Sequence, residues 1–198
     1  MSGGYPGRIL EGTDAGQCSI YDMLVIHIIS TEDTKDFSTI YDNLDATILI
    51  NPSTRIAREA IVDERDTIVL IGHGTEHGLL NKNLNGYFID SSWVNLLRNK
   101  TIVGIWCYAG NFADRYGLTG FFTSNFISNA DELVECGFNN FNHSDLIISG
   151  ENVSFSNRLN GYLRNNVPMD RWVNHLQENC SIMPFVQYNY EALYYNNE

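Results

Sequence analysis

Four continuous apolar runs indicate that the chain builds a β-sheet. They occupy residues 23–30, 46–50, 67–72 and 101–106, and each ends abruptly at polar or glycine positions or in a short polar loop. Runs that are apolar at every position, rather than at alternate positions, are typical of strands covered on both faces. We therefore expect four buried strands that belong to one sheet.

The segments between these runs carry helix and turn signals. Residues 31–44 begin with acidic side chains and continue with apolar residues at helical spacing, and residues 51–62 open with an Asn-Pro pair that favours a helix start. A serine pair begins a predicted helix over 91–100, and an Asn-Leu-Asn-Gly turn predicts a hairpin over 78–89. Strands that alternate with helices predict an α/β fold, in which a mostly parallel sheet carries helices on both faces.

The remaining elements are predicted from shorter patterns. We expect a loop after residue 106, a fifth strand over 117–128, a short helix over 129–136, and helices in the second half of 145–166 and over 168–180. The Tyr- and Asn-rich tail from residue 185 onward receives no assignment.

Length and composition describe a globular chain. The 198 residues are 43% hydrophobic, which fits one domain over residues 21–198. Residues 1–20 lack the apolar core of a secretory signal and are predicted to be a flexible leader. The four cysteines show neither a Cys-x-x-Cys pair nor a disulfide-dense pattern, so we expect a reduced, cytoplasmic protein. A secreted protein that has lost its signal peptide is the alternative.

The charge narrows the range of partners. A formal net charge of −12 argues against nucleic acid and anionic membranes, because both require clustered Lys and Arg. No apolar stretch approaches the roughly 20 residues of a membrane span. The acidic balance is compatible with a cationic substrate.

A histidine and a cysteine follow two of the predicted strands. His73 comes directly after the strand over 67–72, and Cys107 directly after the strand over 101–106. Chemistry in open α/β sheets collects at the carboxyl ends of the strands, so two adjacent parallel strands would bring both side chains to one edge. A thiolate can attack a carbonyl group, and a nearby histidine can protonate the leaving amine. The backbone N–H groups of Gly74 and Cys107 are candidate donors to the oxyanion.

These two blocks resemble a known family. The sequences IVLIGHG and IVGIWCYAG, separated by a predicted hairpin and helix, resemble the caspase-like cysteine peptidases of clan CD, which include caspases, legumains, gingipains, clostripain-like enzymes and separases. The resemblance covers residues 23 to about 163 and implies a caspase-like three-layer αβα sandwich. It implies that Cys107 is the nucleophile, that His73 is the general acid, and that the Gly74 and Cys107 amides form the oxyanion hole. It implies a protein or peptide substrate and no metal or cofactor.

The resemblance also points to substrate-pocket positions. In several relatives the residue two before the cysteine lines the primary pocket and is polar or acidic, whereas this chain has Ile105 there. That departure argues against a caspase-like preference for Asp and against a simple preference for Arg or Lys. Further pocket candidates are Asp114, in the predicted loop after the cysteine, and Thr123, Ser124 and Asn125, after the fifth strand.

Other interpretations of the same residues remain open. Cys107 alone could be a buried structural cysteine, and His77 is a rival for the acid. His73, Glu76 and His77 could be metal ligands of a hydrolase, although the glycines around them favour a loop over the helix that such spacing needs. A caspase-like module that has lost catalysis and serves as a regulatory or binding partner is the alternative from a different functional class.

Overall fold

The computed structural model describes residues 23–63, 66–138 and 145–197, and the predicted leader over 1–20 lies outside them. The described strands are β1 (Met23–His27), β2 (Thr47–Ile50), β3 (Thr67–Ile71), β4 (Gly74–Thr75), β5 (Gly78–Leu80), β6 (Tyr87–Ile89), β7 (Thr101–Ile105), β8 (Thr119–Phe122) and β9 (Tyr194–Asn196). Six of them form a sheet in the order β2-β1-β3-β7-β8-β9, and β4, β5 and β6 form a small antiparallel sheet.

The large sheet is parallel except at one edge. β2, β1, β3, β7 and β8 are parallel neighbours, and β9 is antiparallel to β8. The register aligns Val25 with Val69 and Val69 with Val103, so the strands begin and end at nearly the same level. The predicted mostly parallel sheet is therefore confirmed.

Helices cover both faces of this sheet. They are α1 (Glu32–Lys35), α2 (Thr54–Asp63), α3 (Val94–Leu97), α4 (Ala109–Tyr116), α5 (Ala130–Glu135), α6 (Asp145–Arg164), α7 (Trp172–Glu178) and α8 (Pro184–Glu191). Successive strand residues point to opposite faces. Val69 therefore joins the core beneath α6, α7 and α8, whereas Ile68 and Leu70 join the core beneath α2, α3 and α4. The three-layer α/β sandwich is confirmed.

Several elements differ from their sequence prediction. The predicted helix over 31–44 is α1 followed by a short 3-10 helix over Asp36–Tyr41. The predicted half-helix within 145–166 is the whole of α6, because its polar Asn152 is buried with its amide donating to the Ser128 carbonyl. A polar residue at that position does not interrupt the helix when its hydrogen bonds are satisfied.

The segment around the cysteine was also predicted incorrectly. The expected loop contains α4, and the expected strand over 117–128 is only β8. The tail, which the sequence left unassigned, supplies α8 and the edge strand β9. β9 pairs with a strand more than 70 residues earlier, so no local pattern could reveal it.

Candidate active site

Neighbouring strands deliver polar side chains to one edge of the sheet. β1, β3, β7 and β8 all run in the same direction, so their carboxyl ends meet there. Thr31 and Asp33 follow β1, His73 follows β3, and Cys107 follows β7. The segment 123–128 follows β8. His73 and Cys107 line the same two clefts at this edge, as the sequence predicts for strands that lie side by side.

The imidazole of His73 is held from the β1 side. Its Nε2 lies 2.7 Å from Thr31 Oγ1 and 3.4 Å from Asp33 Oδ2. Both ionisable side chains are largely shielded from water, at 17% exposure for His73 and 13% for Asp33. Since Nε2 is engaged with these two oxygens, Nδ1 is the nitrogen left for other contacts.

Asp33 is itself fixed by polar contacts. Its Oδ2 accepts hydrogen bonds from the Ser128 hydroxyl at 2.8 Å and from the Asn129 amide at 3.1 Å. Burial alone would raise the pKa of Asp33, but the hydrogen bonds from His73, Thr31, Asn129 and Ser128 hold that pKa well below its usual range. Asp33 is therefore a carboxylate at neutral pH.

This carboxylate favours the charged form of the histidine. The hydrogen bond to Asp33 raises the pKa of His73 above its ordinary value of 6.5, and the negative charges of Asp33 and Glu132 act in the same direction against burial. His73 is thus disposed to carry a proton that it can donate from Nδ1.

Cys107 occupies a tight connection between β7 and α4. The Thr123 hydroxyl accepts from the Trp106 N–H at 3.0 Å and donates to the Trp106 carbonyl at 2.8 Å. Tyr108, directly after the cysteine, adopts left-handed backbone angles with φ of 66°. Its N–H donates to the Ser124 carbonyl at 2.9 Å, so the turn is bonded to the segment that follows β8. Such φ values are uncommon for a bulky side chain and occur at functional turns.

The surroundings of Cys107 favour the neutral thiol over the thiolate. It is partly buried and donates to the Phe126 carbonyl across 3.3 Å. Burial raises the pKa of Cys107 to about 12, and the nearby charges of Glu132 and Asp33 add to the effect of burial. Formation of the nucleophilic thiolate therefore needs a change in the surroundings of the sulfur.

Two clefts of different size meet at His73 and Cys107. The inner one holds only about 20 Å³, and its lining includes Ile105, Phe37 and Phe126. That volume accommodates about one water molecule. The outer cleft holds about 480 Å³ and opens to solvent, and its other lining residues are Gly74, Leu80, Leu84, Tyr108, Asn125, Glu132, Glu135 and Cys136. A peptide can enter only the outer cleft.

The two predicted oxyanion donors lie at this cleft. Gly74 and Cys107 both line it. The described turn bonds use the N–H groups of Trp106 and Tyr108 and not that of Cys107. Gly74 also has a packing role, because a Cβ atom there would come within 2.0 Å of the Trp106 ring.

The predicted pocket residues divide into separate groups. Asn125 lines the outer cleft, and its amide donates to the Tyr188 hydroxyl at 2.8 Å. Ile105 and Thr123 are buried and line the inner cleft instead. Ser124 contributes its backbone carbonyl to the turn at Tyr108. Asp114 lies exposed in α4, not in the loop that we predicted, and it is absent from the lining of both clefts.

Sequence reasoning missed the groups that support His73. The sequence pattern assigns Thr31 and Asp33 to a helix start, yet they lie in the segment that follows β1, as His73 lies in the segment that follows β3. Extending the strand-end rule to that run would have identified them. Glu132, which reaches the cleft from α5, has no comparable sequence signal.

The structure places His77, the rival candidate for the general acid, in different surroundings from His73. The Nδ1 atom of His77 lies 3.0 Å from an Arg115 guanidinium nitrogen, and His77 is exposed. His73 instead faces Asp33. Within residues 23–63, 66–138 and 145–197, no group of three or more His, Cys, Asp or Glu side chains is arranged to hold a metal ion.

No protein-family model matches the chain, and neither a curated protein nor a solved structure matches it. In the part of the chain that the structure describes, no helix combines the length and apolar character needed to cross a membrane. The site is defined by its own geometry: a histidine backed by a carboxylate, and a cysteine, at one end of an α/β sandwich.

Proposed function

We propose that the protein is a cysteine endopeptidase of the caspase-like kind, with Cys107 as the nucleophile and His73 as the proton donor. The observation that carries the proposal is that both side chains line one open cleft, while Asp33 stands behind the histidine. A nucleophile, a proton carrier and an orienting group in this order form the arrangement that covalent catalysis of acyl transfer uses.

The chemistry requires one proton to be shuttled. The charged His73 first releases its Nδ1 proton to solvent, and the neutral ring then takes the thiol proton on Nδ1 as Cys107 Sγ attacks the peptide carbonyl carbon. The resulting oxyanion is bound by the N–H groups of Gly74 and Cys107. The imidazolium returns the proton to the leaving amine, the C–N bond breaks, and a thioester remains. Water then attacks the thioester while His73 accepts its proton, the C–S bond breaks, and His73 returns that proton to Cys107 Sγ as the acid product leaves.

Asp33 and Thr31 support this cycle from behind the ring. The Asp33 carboxylate stabilises the imidazolium that exists between the two proton transfers. The contact of Thr31 Oγ1 with Nε2 fixes the ring and leaves Nδ1 for the proposed proton transfers. Both are positioning residues, since their contacts are to His73.

Active-site labelling tests the proposal directly. A peptidyl acyloxymethyl ketone should alkylate Cys107, as identified by mass spectrometry of the full chain. Cys107→Ser should abolish both labelling and peptide turnover. Cys136→Ser is the matched control, because Cys136 lines the same cleft. Turnover that survives in Cys107→Ser would overturn the proposal.

One observation favours a second candidate, a catalytically silent module that binds a partner through this cleft. Burial raises the pKa of the Cys107 thiol to about 12, and the thiol is hydrogen-bonded to a backbone carbonyl. An inert Cys107 in a folded protein, across a panel of peptide electrophiles, would support the silent module over the peptidase.

A further inference from the structure

Two chemically different sets of side chains line the outer cleft, and they are called its apolar wall and its acidic wall. One is apolar and aromatic, formed by Leu80, Leu84 and Tyr108, and both Leu84 and Tyr108 are exposed, at 45% and 38%. The other is acidic, formed by Glu132 and Glu135 of α5. His73 and Cys107 line the same space, so both walls adjoin the proposed reacting groups.

The charges of this cleft are unbalanced. Its described lining includes two glutamates and neither a lysine nor an arginine. Asp33 adds a third carboxylate behind His73, the only group of the lining that can become a cation in the ordinary pH range. Glu132 Oε2 accepts from the Ser128 N–H, which is a neutral donor. A positive group that entered the cleft would therefore meet a net negative field with low competition from the protein's own cations.

From these walls we infer that the cleft binds a lysine or arginine side chain of the peptide substrate, next to the bond that is cleaved. The aliphatic stem would lie along Leu84 and the Tyr108 ring, and the cationic head would meet Glu132 and Glu135. Lysine and arginine combine an apolar stem with a charged head, and that combination matches a cleft with one apolar and one acidic wall. This inference rests on the proposed peptidase function.

The inner cleft does not supply an alternative specificity pocket. At about 20 Å³ it holds about one water molecule, which is too little space for a lysine or arginine side chain, and its described lining includes no carboxylate. The isoleucine two residues before the cysteine therefore does not determine the preference for charge. The acidic residues that do so come from α5, on a different segment of the chain.

Matched substrates isolate the charge of the side chain. Fluorogenic peptides should carry arginine or citrulline at the position before the scissile bond, with Asp and Leu peptides alongside. Citrulline has nearly the shape of arginine without its charge. We expect kcat/KM for arginine to exceed that for citrulline by about 10- to 100-fold, the range of one charged hydrogen-bonded contact.

Two variants then assign this preference to the acidic wall. Glu135→Gln and Glu132→Gln should each reduce the ratio of arginine to citrulline turnover, and Gln at position 132 keeps an acceptor for Ser128. Glu178→Gln, at an exposed position of α7 away from the cleft, makes the same change in net charge and should leave the ratio unchanged.

The outcomes separate this inference from the proposed function. Faster cleavage of Asp or citrulline peptides than of arginine peptides would overturn the inference while leaving the peptidase intact. An arginine preference that neither glutamate variant reduces would also overturn it. Failure of every peptide electrophile to label Cys107 would instead contradict the peptidase itself.

Discussion

His73 Nε2 lies 3.4 Å from Asp33 Oδ2, and the two residues come from the ends of neighbouring parallel strands, β3 and β1. The carboxylate is held in turn by Ser128 and Asn129. Asp33, which the sequence pattern assigns to a helix start, is therefore the electrostatic partner of His73, the proposed general acid.

The first prediction concerns the charge on His73. The Asp33→Asn variant should lower the pKa of His73 from above 6.5 toward or below that value, because burial then acts without the opposing carboxylate. Turnover should fall by roughly 10- to 100-fold, the usual size of a general acid–base contribution. NMR titration of the His73 Cε1–H resonance gives the pKa.

The matched control for this change is Glu32→Gln. Glu32 is exposed and pairs with Lys35 in α1, so the variant removes one negative charge from the same segment without touching His73. An equal shift in both variants would show that the effect is nonspecific and would contradict the role of Asp33.

The second prediction concerns the reactivity of Cys107. Since its pKa is raised to about 12, the rate of alkylation by iodoacetamide should climb by about tenfold per pH unit, with no plateau below about pH 10. Site-resolved mass spectrometry separates this residue from Cys136 and Cys180, which are also free thiols. A plateau near neutral pH would mean that the resting sulfur is already a thiolate.

The third prediction concerns the turn that presents the cysteine. Thr123→Val should destabilise the fold by about 1–3 kcal/mol, because it leaves the buried Trp106 N–H without its acceptor. Thr123→Ser keeps the hydroxyl and should cost less. Urea denaturation measures both, and a larger loss in Thr123→Ser than in Thr123→Val would assign the role of Thr123 to its methyl group instead.

The fourth prediction concerns acid stability. Burial lowers the pKa of His27 to about 4, although a backbone hydrogen bond with Thr34 opposes it, and the side chain is fully buried. Below pH 6.5 His27 binds a proton in the unfolded chain but stays neutral in the folded chain down to about pH 4. The free energy of unfolding should therefore fall between pH 6.5 and about 4. The full effect of this one residue is about 3 kcal/mol.

Comparison with His27→Phe isolates that contribution. His73 and Glu132 have raised pKa values, so protonation of each one stabilises the fold as the pH falls. Both effects are present in the wild-type protein and in His27→Phe, so subtracting one stability curve from the other removes them. The free energy of unfolding, measured across this range, should depend less on pH in the variant. Parallel curves for the two proteins would contradict the assignment to His27.

The sequence by itself determined the α/β sandwich and the placement of His73 and Cys107 at one edge of its sheet. Apolar runs such as those ending before His73 and Cys107 are typical of strands covered on both faces, and parallel strands bring their carboxyl ends together. Both conclusions depend on local pattern and chain order, which the sequence contains.

The tertiary structure alone decided the proton affinities of His73 and Cys107. Asp33 contacts His73 although the two residues are 40 positions apart in the chain. Glu132 lines the cleft from α5, and the Phe126 carbonyl accepts a hydrogen bond from the Cys107 thiol. The antiparallel strand β9 and the extent of α4 follow likewise from distant pairings. Proton affinity depends on burial and on charges a few ångströms away in space, and neither quantity can be obtained from the order of residues along the chain.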